Sequence, residues 1–158
     1  MSTLYVDNLE PNLGSRVLAA GHVVQVVQVS GTNTTYIVNT QNTYVSVAGT
    51  CSITPTTTSS KILISHTAGG LAYGTLSCRL RIKRNGSVIL TNDRMGYNSF
   101  TADWTPMPWV YNYLDSPSTT SQVDYTFEIA QASTGLLRHN DYDVDANTWT
   151  TMLMEIAQ

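Results

Sequence analysis

Charge is what this sequence has least of. Eight Lys and Arg with eleven Asp and Glu make up 12% of 158 residues, about half of the roughly 25% usual in soluble domains. A net charge of −3 leaves no basic stripe to neutralise phosphates, so no nucleic-acid partner is expected. The nearest approach to a basic patch is Arg79, Arg81, Lys83 and Arg84. Three of these alternate along one run, which makes them a single sheet surface, solvated or facing a subunit. No apolar run approaches the roughly 18 residues of a membrane helix, so membrane insertion is not expected. The first residues lack a charged region, an apolar core and a cleavage site, so no secretory leader is expected. Cys51 and Cys78 are the only cysteines, each inside a strand-like run. Two buried free thiols are expected, with a disulfide as the alternative, in a chain made in a reducing cytoplasm.

Helix signals are missing too. No stretch holds apolar residues at i, i+3, i+4 and i+7 over three turns, and no capping box precedes one. What fills the chain is Ser, Thr and Asn around runs that alternate with a period of two. Leu76, Cys78, Leu80 and Ile82 oppose Ser77, Arg79, Arg81 and Lys83, and Val123, Tyr125, Phe127 and Ile129 oppose Gln122, Asp124, Thr126 and Glu128. Each pattern predicts an antiparallel strand with one buried face. Asn85-Gly86 suits a type I′ turn, which needs positive φ at both central residues, so residues 75–84 and 87–91 form a hairpin. Further strands are expected over 22–29, 43–47, 49–53, 61–66, 107–114 and 149–156. Polar connectors run over 54–60, where Pro55 bars a central strand, and over 115–121. About eight to ten short strands with polar turns predict an all-β antiparallel sandwich or jelly roll.

The first twenty residues read differently from the rest. Leu4, Val6 and Leu9 alternate with polar residues as in an extended arm, and Glu10-Pro11-Asn12-Leu13-Gly14-Ser15 separates them from the body. They need a surface to pack on, and a neighbouring subunit is the natural candidate. The expected organisation is an arm over 1–20 and a β-sandwich body over 21–158.

Several segments together resemble a known group. These are the opening Met1-Ser2-Thr3-Leu4-Tyr5-Val6-Asp7-Asn8-Leu9, Ala20-Gly21-His22-Val23-Val24-Gln25-Val26-Val27, and Ile53-Thr54-Pro55 with Ser59-Ser60-Lys61-Ile62-Leu63-Ile64. Arg84-Asn85-Gly86, Tyr113-Leu114-Asp115-Ser116-Pro117 with Thr119-Thr120-Ser121, and the closing Met152-Leu153-Met154-Glu155-Ile156 complete the set. In this order they resemble small fibre-type virion proteins of tailed bacteriophages, particularly of cyanobacterial and marine phages. The resemblance implies a homotrimer of jelly rolls in the virion. Its arm, through Leu4, Val6 and Leu9, would meet other subunits and a larger virion part (baseplate, tail or capsid), and it would need no cofactor and have no enzyme activity. It leaves open a tail fibre that binds the host or a head decoration (cement) protein. A secreted carbohydrate-binding module is the alternative from another class, disfavoured by the missing leader.

Sites of chemistry are sparse. Asp141, Asp143 and Asp145 begin like a calcium loop, but Ala146 stands where its sharp turn needs Gly and Met152 where it needs Glu, which excludes an EF-hand and leaves a solvated acidic loop as the expectation, with a looser calcium site as the alternative. His22, His66 and His139 show no metal-ligand spacing. No Gly-x-Ser-x-Gly elbow surrounds any serine, and the few acids offer no pair across a cleft. The unusual segment is 92–112, with Tyr97, Phe100, Trp104, Trp109 and Tyr111 between turn residues and Pro106 and Pro108. Tyr97 and Trp104, flanked by polar residues, are candidates for stacking on a host surface glycan or protein. Trp109 and Tyr111 are expected to plug the end of the sandwich or the oligomer axis. The run Arg138-His139-Asn140-Asp141-Tyr142 is a second candidate surface loop, and Tyr142 a third candidate contact.

Overall fold

The computed structural model describes residues 20–32, 36–38, 40–99, 104–133, 135–139 and 148–158. Among them are twelve strands: β1 (Val23–Thr32), β2 (Tyr36–Val38), β3 (Val45–Ile53), β4 (Lys61–Ala68), β5 (Gly70–Tyr73), β6 (Leu76–Arg84), β7 (Ser87–Asn98), β8 (Trp104–Pro106), β9 (Trp109–Asp115), β10 (Val123–Gln131), β11 (Leu136–His139) and β12 (Thr148–Ile156). The period of two places the apolar residues. Ile62, Ile64 and Ala68 of β4 point inward, as do Leu76, Cys78, Leu80 and Ile82 of β6, Val123, Tyr125, Phe127 and Ile129 of β10, and Trp149 and Leu153 of β12.

Two four-stranded antiparallel sheets share this core. Their orders are β1-β12-β4-β9 and β3-β10-β6-β7. The chain passes to the opposite sheet at nearly every step, and only β6 and β7 are joined as a hairpin within one. That order defines a jelly roll. The hairpin turns at Asn85-Gly86 with φ of 49° and 80°, the positive pair a type I′ turn requires.

A third sheet, β2-β11-β5-β8, is built from connections. β2 lies between β1 and β3, β5 between β4 and β6, β8 between β7 and β9, and β11 between β10 and β12. All four crossings occur at the same end of the sandwich, so their short strands pair there as a cap. At the opposite end Gly21 donates its N–H to the Ala157 carbonyl at 2.8 Å, and Ala157 donates to the His22 carbonyl at 2.9 Å. The chain therefore enters and leaves the body side by side, a full strand length from the cap.

Three expectations need correcting. Residues 43–47 and 49–53 are not separate strands: β3 is continuous over Val45–Ile53, and a bulge at Ala48, with φ of 67°, shifts its register against β10 between Tyr125 and Phe127. Such a bulge interrupts alternation without ending a strand. The described part of 92–112 is mostly strand, in β7, β8 and β9, with Pro106 on β8 at the sheet edge, where a missing N–H costs no ladder bond. Arg138 and His139 belong to β11 rather than to a loop.

Cys51 and Cys78 are buried free thiols. β10 separates their strands, and it pairs them through Tyr125 and Gln131, six positions apart. That spacing along the strand places them far outside disulfide reach.

Two buried carboxylates close the structure where the chain enters, one tying sheet to sheet and one tying β12 to β1 and to the β3–β4 connector. Asp115 on β9 is buried; it accepts two bonds from Arg84 Nη1 at 3.1 and 2.9 Å and one from the Tyr125 hydroxyl at 2.7 Å. It thereby ties β9 in one sheet to β6 and β10 in the other. Glu155 accepts from Gln25 Nε2 at 2.6 Å and from the Thr56 N–H and hydroxyl, each at 2.7 Å. Burial pushes the Glu155 carboxyl up, but hydrogen bonds from Ser60, Thr56 and Gln25 outweigh it and hold the group below its ordinary value.

Gly70 marks where β4 gives way to the cap. A Cβ there would lie 2.8 Å from the Arg138 carbonyl oxygen and 2.9 Å from that of Met107, both backbone and unable to step aside. Gly70→Ala is expected to destabilise the protein by about 1–3 kcal/mol, lowering the melting temperature by roughly 2–4 °C per kcal/mol; calorimetry reads it directly.

His66 supplies a pH dependence. Its ring is buried, stacks on Phe127 at 4.3 Å, and has Nδ1 2.9 Å from the Thr151 hydroxyl. Burial lowers its pKa from 6.5 to about 4. The unfolded chain takes up the proton first as pH falls. The contribution of neutral His66 is therefore intact above about 6.5 and lost on the way down to about 4, about 3 kcal/mol in all. Denaturant unfolding across that window should show the loss, and His66→Gln should flatten it.

Candidate recognition surface

The cap end gathers most of the aromatic and guanidinium groups that the sequence leaves outside the core. β7 is the edge strand of its sheet and β8 the edge strand of the cap. They follow one another in the chain, so Tyr97 and Trp104 lie on the same side of this end. Tyr97 faces away from the core opposite Ser77 and is 70% exposed. Beside it is an open hollow of about 600 Å³, lined by Ser77, Arg79, Asp93, Arg94, Tyr97 and Ala132. Arg79 Nη1 donates to Asn42 Oδ1 at 2.7 Å, and its Nε lies 3.7 Å from Asp93 Oδ1, an ion pair rather than a hydrogen bond. Ser77 Oγ is buried with no hydrogen-bond partner. The hollow thus joins a flat ring, two guanidinium groups, a carboxylate and a hydroxyl, a set able to hold vicinal hydroxyls or a carboxylate.

Trp104 is held more firmly. It pairs across the cap with Tyr73, their rings 5.3 Å apart and tilted by 46°. The Arg138 guanidinium sits 4.1 Å from its ring centre, a cation–π contact. The side chain keeps 36% exposure, so part of its surface is free and part is fixed by its neighbours. Trp109, in contrast, is in the core at 1% exposure and Tyr111 is half-buried. They fill the sandwich below the cap, as expected of them. Tyr142 lies outside the described residues, as do Leu4, Val6, Leu9 and the three aspartates Asp141, Asp143 and Asp145.

Sequence reading missed Tyr73, Arg138 as a partner of Trp104, and the joining of Arg79 with Asp93, Arg94 and Tyr97. Arg79 and Tyr97 each stand out in the sequence, but only the register of β6 against β7 brings them together. The basic run itself is largely neutralised: Lys83 pairs with Glu128 at 2.9 Å, Arg84 with Asp115, and the Arg81 guanidinium lies 3.5 Å over the Tyr44 ring. Among the described residues, no group of three or more His, Cys, Asp or Glu is placed to hold a metal ion.

No family model and no curated protein sequence matches the chain. Among solved structures it is similar to structures of infectious bursal disease virus and its VP2 particles. The Gx strain structure matches with a TM-score of 0.47 and 11% identity over 98% of this chain and 45% of that one. The VP2 subviral particle matches with a TM-score of 0.44 and 13% identity, over 98% and 37%. The chain therefore spans less than half the length of the chains it matches. The jelly-roll assignment stands on the strand order.

Truncating the two exposed aromatics should separate their roles. Tyr97→Ala is expected to leave stability within about 0.5 kcal/mol, as at most surface positions. Trp104→Ala should cost about 1–3 kcal/mol, less than the roughly 3–5 kcal/mol of a fully buried aromatic, because it removes the contacts with Tyr73 and Arg138. Thermal melts of both variants test this.

Proposed function

We propose that this chain is a structural protein of a bacteriophage virion, a homotrimeric fibre-type protein that attaches the particle to a host surface glycan or protein. Its work is binding. Residues 1 to about 20 fix it to another virion protein and the cap end meets the host. The observation that carries this reading is the polarity of the body: the chain enters at one end, and Tyr97, Trp104 and the polar hollow lie at the other. A rigid jelly roll, a fold used by viral capsid and lectin domains, holds the two ends a strand length apart. Three copies would turn weak single contacts into useful avidity, since the second and third are intramolecular. The order of sequence segments shared with fibre-type phage proteins points the same way.

The test combines Tyr97→Ala with Trp104→Ala in otherwise intact particles. Incorporation of the protein should be unchanged while adsorption to host cells falls at least tenfold. Normal adsorption by particles carrying a folded double variant would overturn the receptor role. Finding the protein on the head in a particle reconstruction would replace it with the decoration reading.

A further inference from the structure

The hollow beside Tyr97 owes its charge to an irregularity in one strand pair. On β6 only Arg79 separates Cys78 from Leu80, whereas on β7 Asp93, Arg94 and Met95 separate their partners Gly96 and Asn92. The surplus residues of β7 form a bulge, a device that re-aims side chains. The Arg94 N–H donates to Asn92 Oδ1 across it at 3.1 Å. Asp93 and Arg94 are thereby set beside Arg79 in the lining. Ala132, just past the end of β10, leaves room below them. Two groups here lack the hydrogen bonds they could make. Ser77 Oγ and Arg79 Nε are buried without a hydrogen-bond partner, an uncommon state for buried polar atoms. Arg94 is exposed, and among the described residues its guanidinium enters no hydrogen bond or ion pair. Lys83 and Arg84, on the same sheet, each have a carboxylate partner. Two guanidinium groups against the single carboxylate of Asp93 make the hollow locally positive, in a chain of net charge −3.

We infer that this hollow takes a carboxylated sugar, a uronate or sialate residue of a host surface glycan, which deepens the host-binding reading above and rests on it. Its volume of about 600 Å³ falls within the roughly 300–1,000 Å³ of small-ligand sites. The exposed Tyr97 ring offers its flat face to the apolar side of a pyranose. The planar Arg94 guanidinium, free of a protein partner, matches a carboxylate with two parallel donors. Asp93 accepts from ring hydroxyls. The charge balance decides between ligand classes. A neutral sugar leaves Arg94 without a counter-ion, and an acidic peptide leaves the Tyr97 face without a ring to cover. A carboxylated sugar uses both.

Saturation-transfer NMR and calorimetry on the full-length protein test the inference. The probes are trigalacturonate, sialyllactose, the methyl ester of trigalacturonate as the uncharged control, and hexaglutamate. At least one acidic sugar should bind with a Kd of about 1 mM, the weak single contact that several copies reinforce. Added salt should weaken that binding, and the methyl ester should bind at least about tenfold more weakly than trigalacturonate if that is the sugar held. Arg94→Gln should lower affinity for the acidic sugar about tenfold with the melting temperature unchanged. Asp93→Asn should raise it about two- to threefold, because it removes the one negative charge in the lining. Failure of both acidic sugars to bind at about 10 mM, or unchanged affinity in Arg94→Gln, would overturn the inference and leave the host-binding reading standing. Equal binding of trigalacturonate and its ester would do the same. Tighter binding of hexaglutamate than of either sugar would give the hollow to an acidic peptide instead. Sugar binding through Arg94 together with normal adsorption of particles carrying Tyr97→Ala and Trp104→Ala would keep the sugar site and overturn its role in attachment.

Discussion

Burial of one sheet against the other is the contact on which the rest of the molecule depends. Ile62, Ile64 and Leu153 from the first sheet and Leu80, Ile82 and Phe127 from the second are essentially without solvent exposure, and each such side chain contributes about 1.5–3 kcal/mol relative to an exposed one. With so few charges, this chain has little else with which to offset the conformational entropy of folding. The side chains on the outer faces are correspondingly spared from that task.

The few ionic groups are used in two ways. Those facing the interior are fully engaged: Asp115 with Arg84 and Tyr125, and Glu155 with Gln25 and Thr56. A carboxylate buried in this way fixes geometry more than it adds stability, because removal from water offsets most of its attraction, while loss of one partner strands the other. The charges on the outer face of the second sheet pair in partial solvent, where each pair contributes little. The interior pairs hold the end where the chain enters; the cap end relies instead on backbone pairing and on the packing of Trp109 and Trp149.

Much of the fold was legible in the sequence. The alternating runs around Leu80 and Phe127 gave the inward faces correctly, because a period of two admits no other arrangement once one face is buried. Asn85-Gly86 gave its turn, because few residues accept positive φ twice in succession. Ala48 hid the continuity of β3, since a bulge breaks alternation in the same way a strand end does. The cap strands were invisible because each has three or four residues and takes its stability from pairing with one or two other cap strands, none of them near in sequence. The candidate site divides along the same line. Tyr97 and Trp104 stand out by residue type, whereas Tyr73, Arg138 and the Arg79–Asp93 pair become neighbours only through tertiary register.

The pairing of Gly21 with Ala157 has a consequence for how such a body can be used. A domain whose first and last strands leave from adjacent positions occupies no more length along a chain than a short loop does. It can be spliced into the turn of a host protein, or its ends joined and new ones opened elsewhere, without stretching any strand. The jelly roll described here is in that sense a portable module, carried by whatever polypeptide offers two points a hydrogen bond apart.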